Sequence, residues 1–278
     1  MSKFIKHIAM SLIGPVCILL IWILAANAID NKLILPQLSS VVEHLLAPTA
    51  DIIGLGALTK NIFISLVRVF LGYLVATLLA IPIGVLMGYS KTCYGLINPI
   101  ISLFRPIPPI SWVPLVLAWF GVTSIATLLG MTQGSTYVYL NNFKLSMTFI
   151  IFLGAFFPII TSSVHGVSNV PKQLIESARV LGGSEGTIFR KILLPAAAPT
   201  IVNGMRTGLG CAWTCLVSAE MLPGSLSGVG YLIMHAYELA RVDVVMTGMI
   251  SIGLVGALMD YLFRLIEKKK FAWQNKVK

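Results

Sequence analysis

Residues 168–195 read Ser-Asn-Val-Pro-Lys-Gln-Leu-Ile-Glu-Ser-Ala-Arg-Val-Leu-Gly-Gly-Ser-Glu-Gly-Thr-Ile-Phe-Arg-Lys-Ile-Leu-Leu-Pro. This is the conspicuous polar interruption in a greasy chain. Apolar runs flank it at 147–167 and at about 200–221. Each is about the 20 residues that a helix needs to cross the hydrocarbon of a bilayer. The interruption carries its own helix punctuation. Ser168 or Asn169 can cap a helix, and Pro171 suits its first turn. Leu174, Ala178 and Leu181 share one face at helical spacing. Gly182-Gly183 ends that helix. A second short helix carries Ile188, Phe189 and Ile192, and Pro195 is expected to stop it before the next span. The spacing predicts a helix–turn–helix elbow with one apolar face, projecting from a membrane.

Composition supports the bilayer as solvent. Of 278 residues, 57% are hydrophobic and only 11% charged, against about 25% charged in soluble domains. Mean hydropathy is +0.90. The expected fold class is therefore all-α, a polytopic helical membrane protein. The net charge of +10 does not point to nucleic acid, because the bases sit at the edges of apolar runs and no groove-reading motif accompanies them. It reads as the positive-inside bias. Cys17, Cys93, Cys211 and Cys215 show no metal-ligand spacing and no disulfide framework. Cys211 and Cys215, four apart on one helix face, read as small apolar residues within a span. The run 8–29 is too long for an ordinary signal peptide and lacks a good cleavage site. It reads as a retained first span.

About six spans follow along the chain. After 8–29 comes a mixed-charge, partly amphipathic stretch to residue 60, and these 60 residues form a first unit, with a core unit over 61–278. A second span runs over about 66–89, with Arg68 near its start, Pro82 inside it, and Gly72, Gly84 and Gly88 to admit close neighbours. A third, 97–121, is broken by Arg105-Pro-Ile-Pro-Pro109 and Pro114. Residues 122–146 read as a long outer loop or a short re-entrant piece. Spans four, five and six are 147–167, about 200–221 and about 244–265, with a glycine-rich turn at 223–230. Six spans put both termini on one side. That side holds Lys3, Lys6, Lys91, Lys172, Arg179, Arg190, Lys191 and the tail lysines Lys268, Lys269, Lys270, Lys276 and Lys278. On the other side, Lys32, Lys60, Lys144 and Arg241 are offset by Asp30, Glu43, Asp51, Glu238 and Asp243. The bias predicts cytoplasmic termini and a cytoplasmic elbow.

Within the elbow, Glu176-Ser-Ala178 is followed after three residues by Gly182, and after nine more by Ile192-Leu-Leu-Pro195. This gapped pattern resembles the "EAA" loop of permease subunits of binding-protein-dependent ABC importers, with Ser177 in place of the usual alanine. Further segments resemble the nitrate/sulfonate/taurine/bicarbonate group of those permeases. They are Arg105-Pro-Ile-Pro-Pro-Ile-Ser-Trp-Val-Pro114, Trp119-Phe-Gly121, Phe152-Leu-Gly-Ala-Phe-Phe-Pro158, Gly204-Met-Arg206, Ala219-Glu-Met221 and Gly228-Val-Gly-Tyr-Leu232. The stretch from Gly121 to Phe152 departs by being longer than the group's.

The resemblance implies a type I importer permease in a prokaryotic cytoplasmic (inner) membrane. Its elbow would be a coupling helix seated in a groove of a separate ATPase, through Glu176, Ser177, Ala178, Leu181, Gly182, Ile192 and Pro195. It implies two ATPase copies, a second permease subunit in a homodimer, and an extracytoplasmic substrate-binding protein. The chain has no G-x-x-x-x-G-K-[ST] motif and so no P-loop of its own. No enzyme activity, cofactor or metal is expected in it. Nitrate, sulfonate, taurine or bicarbonate is the expected cargo class, with an organic nutrient such as a thiamine precursor as the alternative. Arg105 and Arg206 are the candidates for lining a pathway. Snorkelling from a helix end is the competing reading, and the simpler one for Arg68 and Arg206. Glu220 is expected to face outward, meeting the binding protein or capping the glycine-rich turn, and His165 to be structural. A self-powered transporter would call for inverted repeats or acids in mid-span. No convincing repeat is present, and Asp260 is the only plausible acid. A mere anchor would not need the proline-broken third span.

Overall fold

The computed structural model describes residues 2–271, with side chains from Ile13 onward. Lys3, Lys6, Lys276 and Lys278, counted above toward the charge bias, fall outside those described side chains. Helices dominate: α1 (Ser2–Ile29), α2 (Leu38–Leu46), α3 (Leu58–Tyr89), α4 (Lys91–Phe104), α5 (Val113–Phe120), α6 (Ile125–Leu128), α7 (Ser135–Leu140), α8 (Leu145–Ser168), α9 (Lys172–Val180), α10 (Glu185–Ile188), α11 (Leu194–Glu220), α12 (Val229–Glu238) and α13 (Val242–Lys270). Among the described residues there is no strand beyond an isolated antiparallel bridge between Ser124 and Lys144.

α8 lies at the centre, packed along its length against α3 on one side and α11 on the other. A stripe of small residues makes this possible. Gly72, Ala76, Ala80, Gly84 and Gly88 recur every fourth position of α3, hence on one face. A Cβ at Gly84 would stand 2.6 Å from the Ser163 Cβ and 2.8 Å from the Ile160 carbonyl oxygen of α8. Gly208 does the same for α11, its virtual Cβ lying 2.7 Å from Ile159. In lipid, where apolar burial gives helices no driving force toward each other, such close backbone approach supplies the dispersion contact that does. Val69, Ile151, Ala155, Ile159, Ala212 and Leu216 fill the seam. The opposite faces remain apolar and exposed, as at Phe70, Leu74 and Leu78 of α3 and Leu254, Leu258 and Leu262 of α13. That inversion is what a lipid solvent requires.

Among the described residues, α3, α8 and α13 are long and apolar enough to cross a bilayer, and the bent pair α4–α5 makes a fourth if taken as one span. α11 is less apolar, yet at 1.5 Å per residue it is about 40 Å long. The six expected spans overlap α1, α3, the bent pair, α8, α11 and α13, of which α3, α8, α13 and the bent pair meet the length and apolarity of a crossing. Their bounds differ from the hydropathy reading. α3 begins at Leu58 rather than near 66, because the polar Asn61, Ser65 and Arg68 are held inside the bundle. The third span turns through 88° between α4 and α5. Pro106, Pro108 and Pro109 lack the amide hydrogens a helix needs, so the chain passes through a single 3-10 turn, Pro109–Trp112. Residues 125–143 form an excursion pinched off by the Ser124–Lys144 bridge and containing α6 and α7.

Two details of the elbow also differ. Neither Ser168 nor Asn169 caps α9. Pro171 occupies the cap position, and its extended backbone turns the chain out of α8. Pro195 does not stop the second elbow helix. It is the second residue of α11, directly after a π turn at which the regular α hydrogen-bond pattern is already interrupted. Helix therefore continues from α10 through a π-helical turn, Phe189–Leu193, into α11.

Candidate functional site

The elbow is built from its turn outward. Gly182 has φ +82°, the left-handed region that a β-carbon penalises. Its amide donates to the Arg179 carbonyl at 2.9 Å and the Gly183 amide to the Ala178 carbonyl at 2.9 Å, the paired bonds that close a helix C-terminus. Ser184 then caps α10 by accepting from the Thr187 amide. Ile175 and Phe189 pack against the buried Val85, Val167, Val170 and Leu193, so the elbow rests on the ends of α3 and α8. Leu174 is half exposed, whereas Val180 and Leu181 are each 87% exposed. Glu176, Ser177, Gly182 and Pro195 are also exposed, with Ala178 and Ile192 half-buried. An apolar edge is left facing out.

A link to α3 was not visible in the sequence. Glu185 accepts from Arg179 at 2.7 and 3.1 Å and from the Tyr89 hydroxyl at 3.3 Å. The Tyr89 ring meets Phe189 edge-on, with centroids 5.5 Å apart. Hydrogen bonding to Arg179 holds the Glu185 carboxyl below the ordinary glutamate range. The α9 helix is thereby tied to α10 and, through Glu185, to the last residue of α3. Only Tyr89's place at the end of a span could have suggested this.

At the other end of the bundle is a buried polar lock. Arg68 of α3 donates to Glu220 of α11 at 2.7 Å, and the two side chains are 2% and 0% exposed. Arg68 also donates to the Asn142 carbonyl at 2.9 Å and the Ser227 carbonyl at 2.7 Å. Glu220 accepts from Ser65 and from the Gly230 amide. Asn61 and Ser65 receive the amides of Gly228 and Val229. Every strong group in this lock is satisfied, which is the condition for burying charge at all. Gly228, at φ +113°, lies so close to the Glu220 carboxylate that a Cβ there would overlap it. The expectation that Arg68 snorkels is thus corrected: it has a buried partner. Glu220 is buried, and of the two roles expected of it the structure shows the second: it accepts the Gly230 amide and holds the glycine-rich turn from beneath. Opposite charges near the same-side ends of two apolar runs were the available signal.

Arg206 pairs with Glu267 at 3.1 Å and lies 3.6 Å from Asp260, both on α13. Asp260 also pairs with Arg264 at 2.8 Å. Arg105, at the C-terminus of α4, opens onto two cavities. One, of about 550 Å³, lies between α8 and α11 and is lined by Thr161, Ser162, Thr207, Thr214 and the thiols of Cys211 and Cys215. The other, of about 250 Å³, is lined by Tyr94, Asn98, Ser102, Thr161 and His165.

These features agree with what the chain is similar to. Residues 80–271 match the family described as the binding-protein-dependent transport system inner membrane component. A putative ABC transporter permease protein of Methanocaldococcus jannaschii is 45% identical over 273 residues, 98% of this chain and 95% of that protein. The taurine transport system permease protein of Escherichia coli is 31% identical, covering 95% of this chain and 90% of its own length. A nitrate import permease protein of Synechocystis is 35% identical over 77% of this chain and 69% of its own. Among solved structures, an inward-facing form of the MetNI methionine ABC transporter has a chain that superposes with a TM-score of 0.59. It does so at 19% identity, over 76% of this chain and 94% of that one, a likeness of fold. By the family match and by these identities, the chain belongs to the binding-protein-dependent ABC importer permeases.

Proposed function

We propose that this chain, paired with a second copy about a two-fold axis, forms the membrane pathway of an importer for a small oxyanion such as nitrate, a sulfonate, taurine or bicarbonate. Its elbow seats in a separate cytoplasmic ATPase, one ATPase per permease chain, and a binding protein delivers cargo on the opposite face. Both termini then lie in the cytoplasm, the side to which the described elbow cations and Lys268–Lys270 belong. The observation that carries the reading is the elbow. Its exposed Val180 and Leu181 edge is joined by the Gly182 turn to α10, which is continuous through the π turn with α11. A push on α9 therefore moves a helix that spans the bundle. The Tyr89–Glu185–Arg179 contacts pass the same push to α3. The cargo class draws its support from the taurine and nitrate permeases among the relatives and from the lone cation in the pathway cavities.

The docking role is tested by co-expressing the chain with its P-loop ATPase and binding protein. Gly182→Asp forces a side chain into a left-handed position on the docking edge, and Glu176→Lys reverses a charge there. Each is expected to lower co-purification of the ATPase and ATP-driven uptake by tenfold or more while the permease still reaches the membrane. Normal uptake and co-purification in both variants would remove the elbow from the coupling role.

A further inference from the structure

Arg105 differs from the other arginines in the bundle. Arg68, Arg206, Arg241 and Arg264 each have a carboxylate within 4 Å, as does Arg179 in the elbow. Among the described residues, Arg105 and the elbow's Arg190 have none. No aspartate or glutamate lines either cavity that Arg105 borders. What partly offsets its charge is the C-terminus of α4, whose free carbonyls carry about half a negative charge. The rest of the two linings mixes apolar side chains, among them Leu153, Phe157 and Ile160, with a small set of polar ones. Four hydroxyls line the larger cavity; those of Thr161, Thr207 and Thr214 donate to carbonyls of their own helices, which leaves Ser162 to donate into the space. The Tyr94 phenol, the Asn98 amide, Ser102 and His165 line the smaller. A guanidinium without a carboxylate partner, with Ser162 on one side and Tyr94, Asn98 and Ser102 on the other, attracts an anion and offers it geometry that suits planar or tetrahedral oxygens.

The two cavities are arranged in series. Along α8 the larger spans positions 153–162 and the smaller positions 160–165, toward the elbow end. At 1.5 Å per residue their centres are displaced along the helix by roughly 8 Å. Arg105 and Thr161 belong to both. A guanidinium on a long, jointed side chain can stay within reach of an ion over such a step.

We propose that the two cavities are successive stations for one small oxyanion. The hydroxyl-lined station between α8 and α11 receives it, and the Tyr94–Asn98–Ser102 station passes it on toward the elbow side, with Arg105 as the cation common to both. This rests on the permease reading above and assigns specificity to residues that the reading leaves open. Because no acid is present to hold a cation, the pathway selects against cations as well as for anions.

The test uses the whole importer, with its ATPase and binding protein, in proteoliposomes. The charge of the cargo is fixed first by binding of nitrate, taurine, ethanesulfonate and bicarbonate to the cognate binding protein. With an anionic cargo, Arg105→Gln is expected to cut uptake at least tenfold and Arg105→Lys to restore it to within about threefold. Asn98→Leu and Tyr94→Phe, which leave the charge in place, should each cut it threefold or more. Should Arg105→Gln fail to assemble, the last two variants still decide. Unchanged uptake of a proven anion in Asn98→Leu and Tyr94→Phe, or equal loss in Arg105→Gln and Arg105→Lys, overturns the two-station pathway and leaves the permease reading standing. A cognate cargo that proves to carry no oxyanion group overturns both the anion reading and the stations.

Discussion

The molecule uses the same pair of residues, an arginine and a glutamate, at its two ends and in opposite surroundings. At the far end, Arg68 and Glu220 are 2% and 0% exposed and share their remaining hydrogen bonds with Ser65, Ser227, Asn142 and Gly230. At the elbow, Arg179 and Glu185 meet with equally short bonds but are 54% and 56% exposed. Water competes for the second pair and cannot reach the first. The buried pair therefore fixes one arrangement of α3, α11 and the glycine-rich turn, since any other leaves a charge unpaired. The exposed pair can break and re-form at small cost. One end of the bundle is pinned and the other can adjust, as the proposed docking at the elbow requires.

The comparison is broken most directly at the far end. Glu220→Gln leaves Arg68 charged and buried without its counter-ion, which costs about 3–5 kcal/mol. A large drop in the thermal midpoint of the purified protein, or loss of folded protein from the membrane, is expected. A midpoint within a degree or two of the parent would show that the lock is not closed in the membrane.

The middle of the bundle should respond less. Gly84→Ala places a methyl 2.6 Å from Ser163 and against the Ile160 carbonyl, an overpacking that costs about 1–3 kcal/mol. Gly95→Ala, inside α4 and with nothing within 4 Å of the added methyl, serves as its control and should hold the midpoint or raise it slightly.

The smallest effect on stability belongs to the elbow. Arg179→Ala removes an exposed ion pair, and such pairs contribute little. The thermal midpoint should stay put while ATP-driven uptake falls, because α9 loses its tie to Tyr89 through Glu185. The same pair sets a pH expectation. Arg179 lowers the folded-state pKa of Glu185, so the pair's contribution is present above the unfolded glutamate value of about 4.3. It is lost only as pH falls through the lowered folded value. Coupling between about pH 6 and pH 8 is therefore expected to be indifferent to this group. A titration of coupling in that window would assign it to other residues.

Much of the fold was legible because lipid writes it into composition. Long apolar runs and the helix signals around 171–182 identified the elements, and the 72–88 glycines correctly announced close packing. Span limits were less legible. Hydropathy stops where polar residues begin, and Asn61, Ser65 and Arg68 are polar yet inside. A window that scores residues one at a time cannot see that Glu220, 152 positions away, pairs with Arg68. Pro195 misled for a related reason. A proline disfavours the interior of a regular α-helix, and the sequence does not show that a π turn just before it changes the hydrogen-bond pattern there. The Arg105 cavities were foreshadowed by the proline-broken segment, whereas the neutrality of their walls depends on which faces of α4, α8 and α11 turn toward each other.

The π turn at Phe189–Leu193 has a consequence for how such chains compare in length. A π turn is an α-helix that has absorbed one extra residue, with the helix on either side keeping its phase. Removing a residue between 189 and 193 would return the segment to α geometry while leaving α9 and α11 facing as they do now. The nine-residue gap between Gly182 and Ile192 is then a consequence of that absorbed residue, and a chain with an eight-residue gap could present the same elbow.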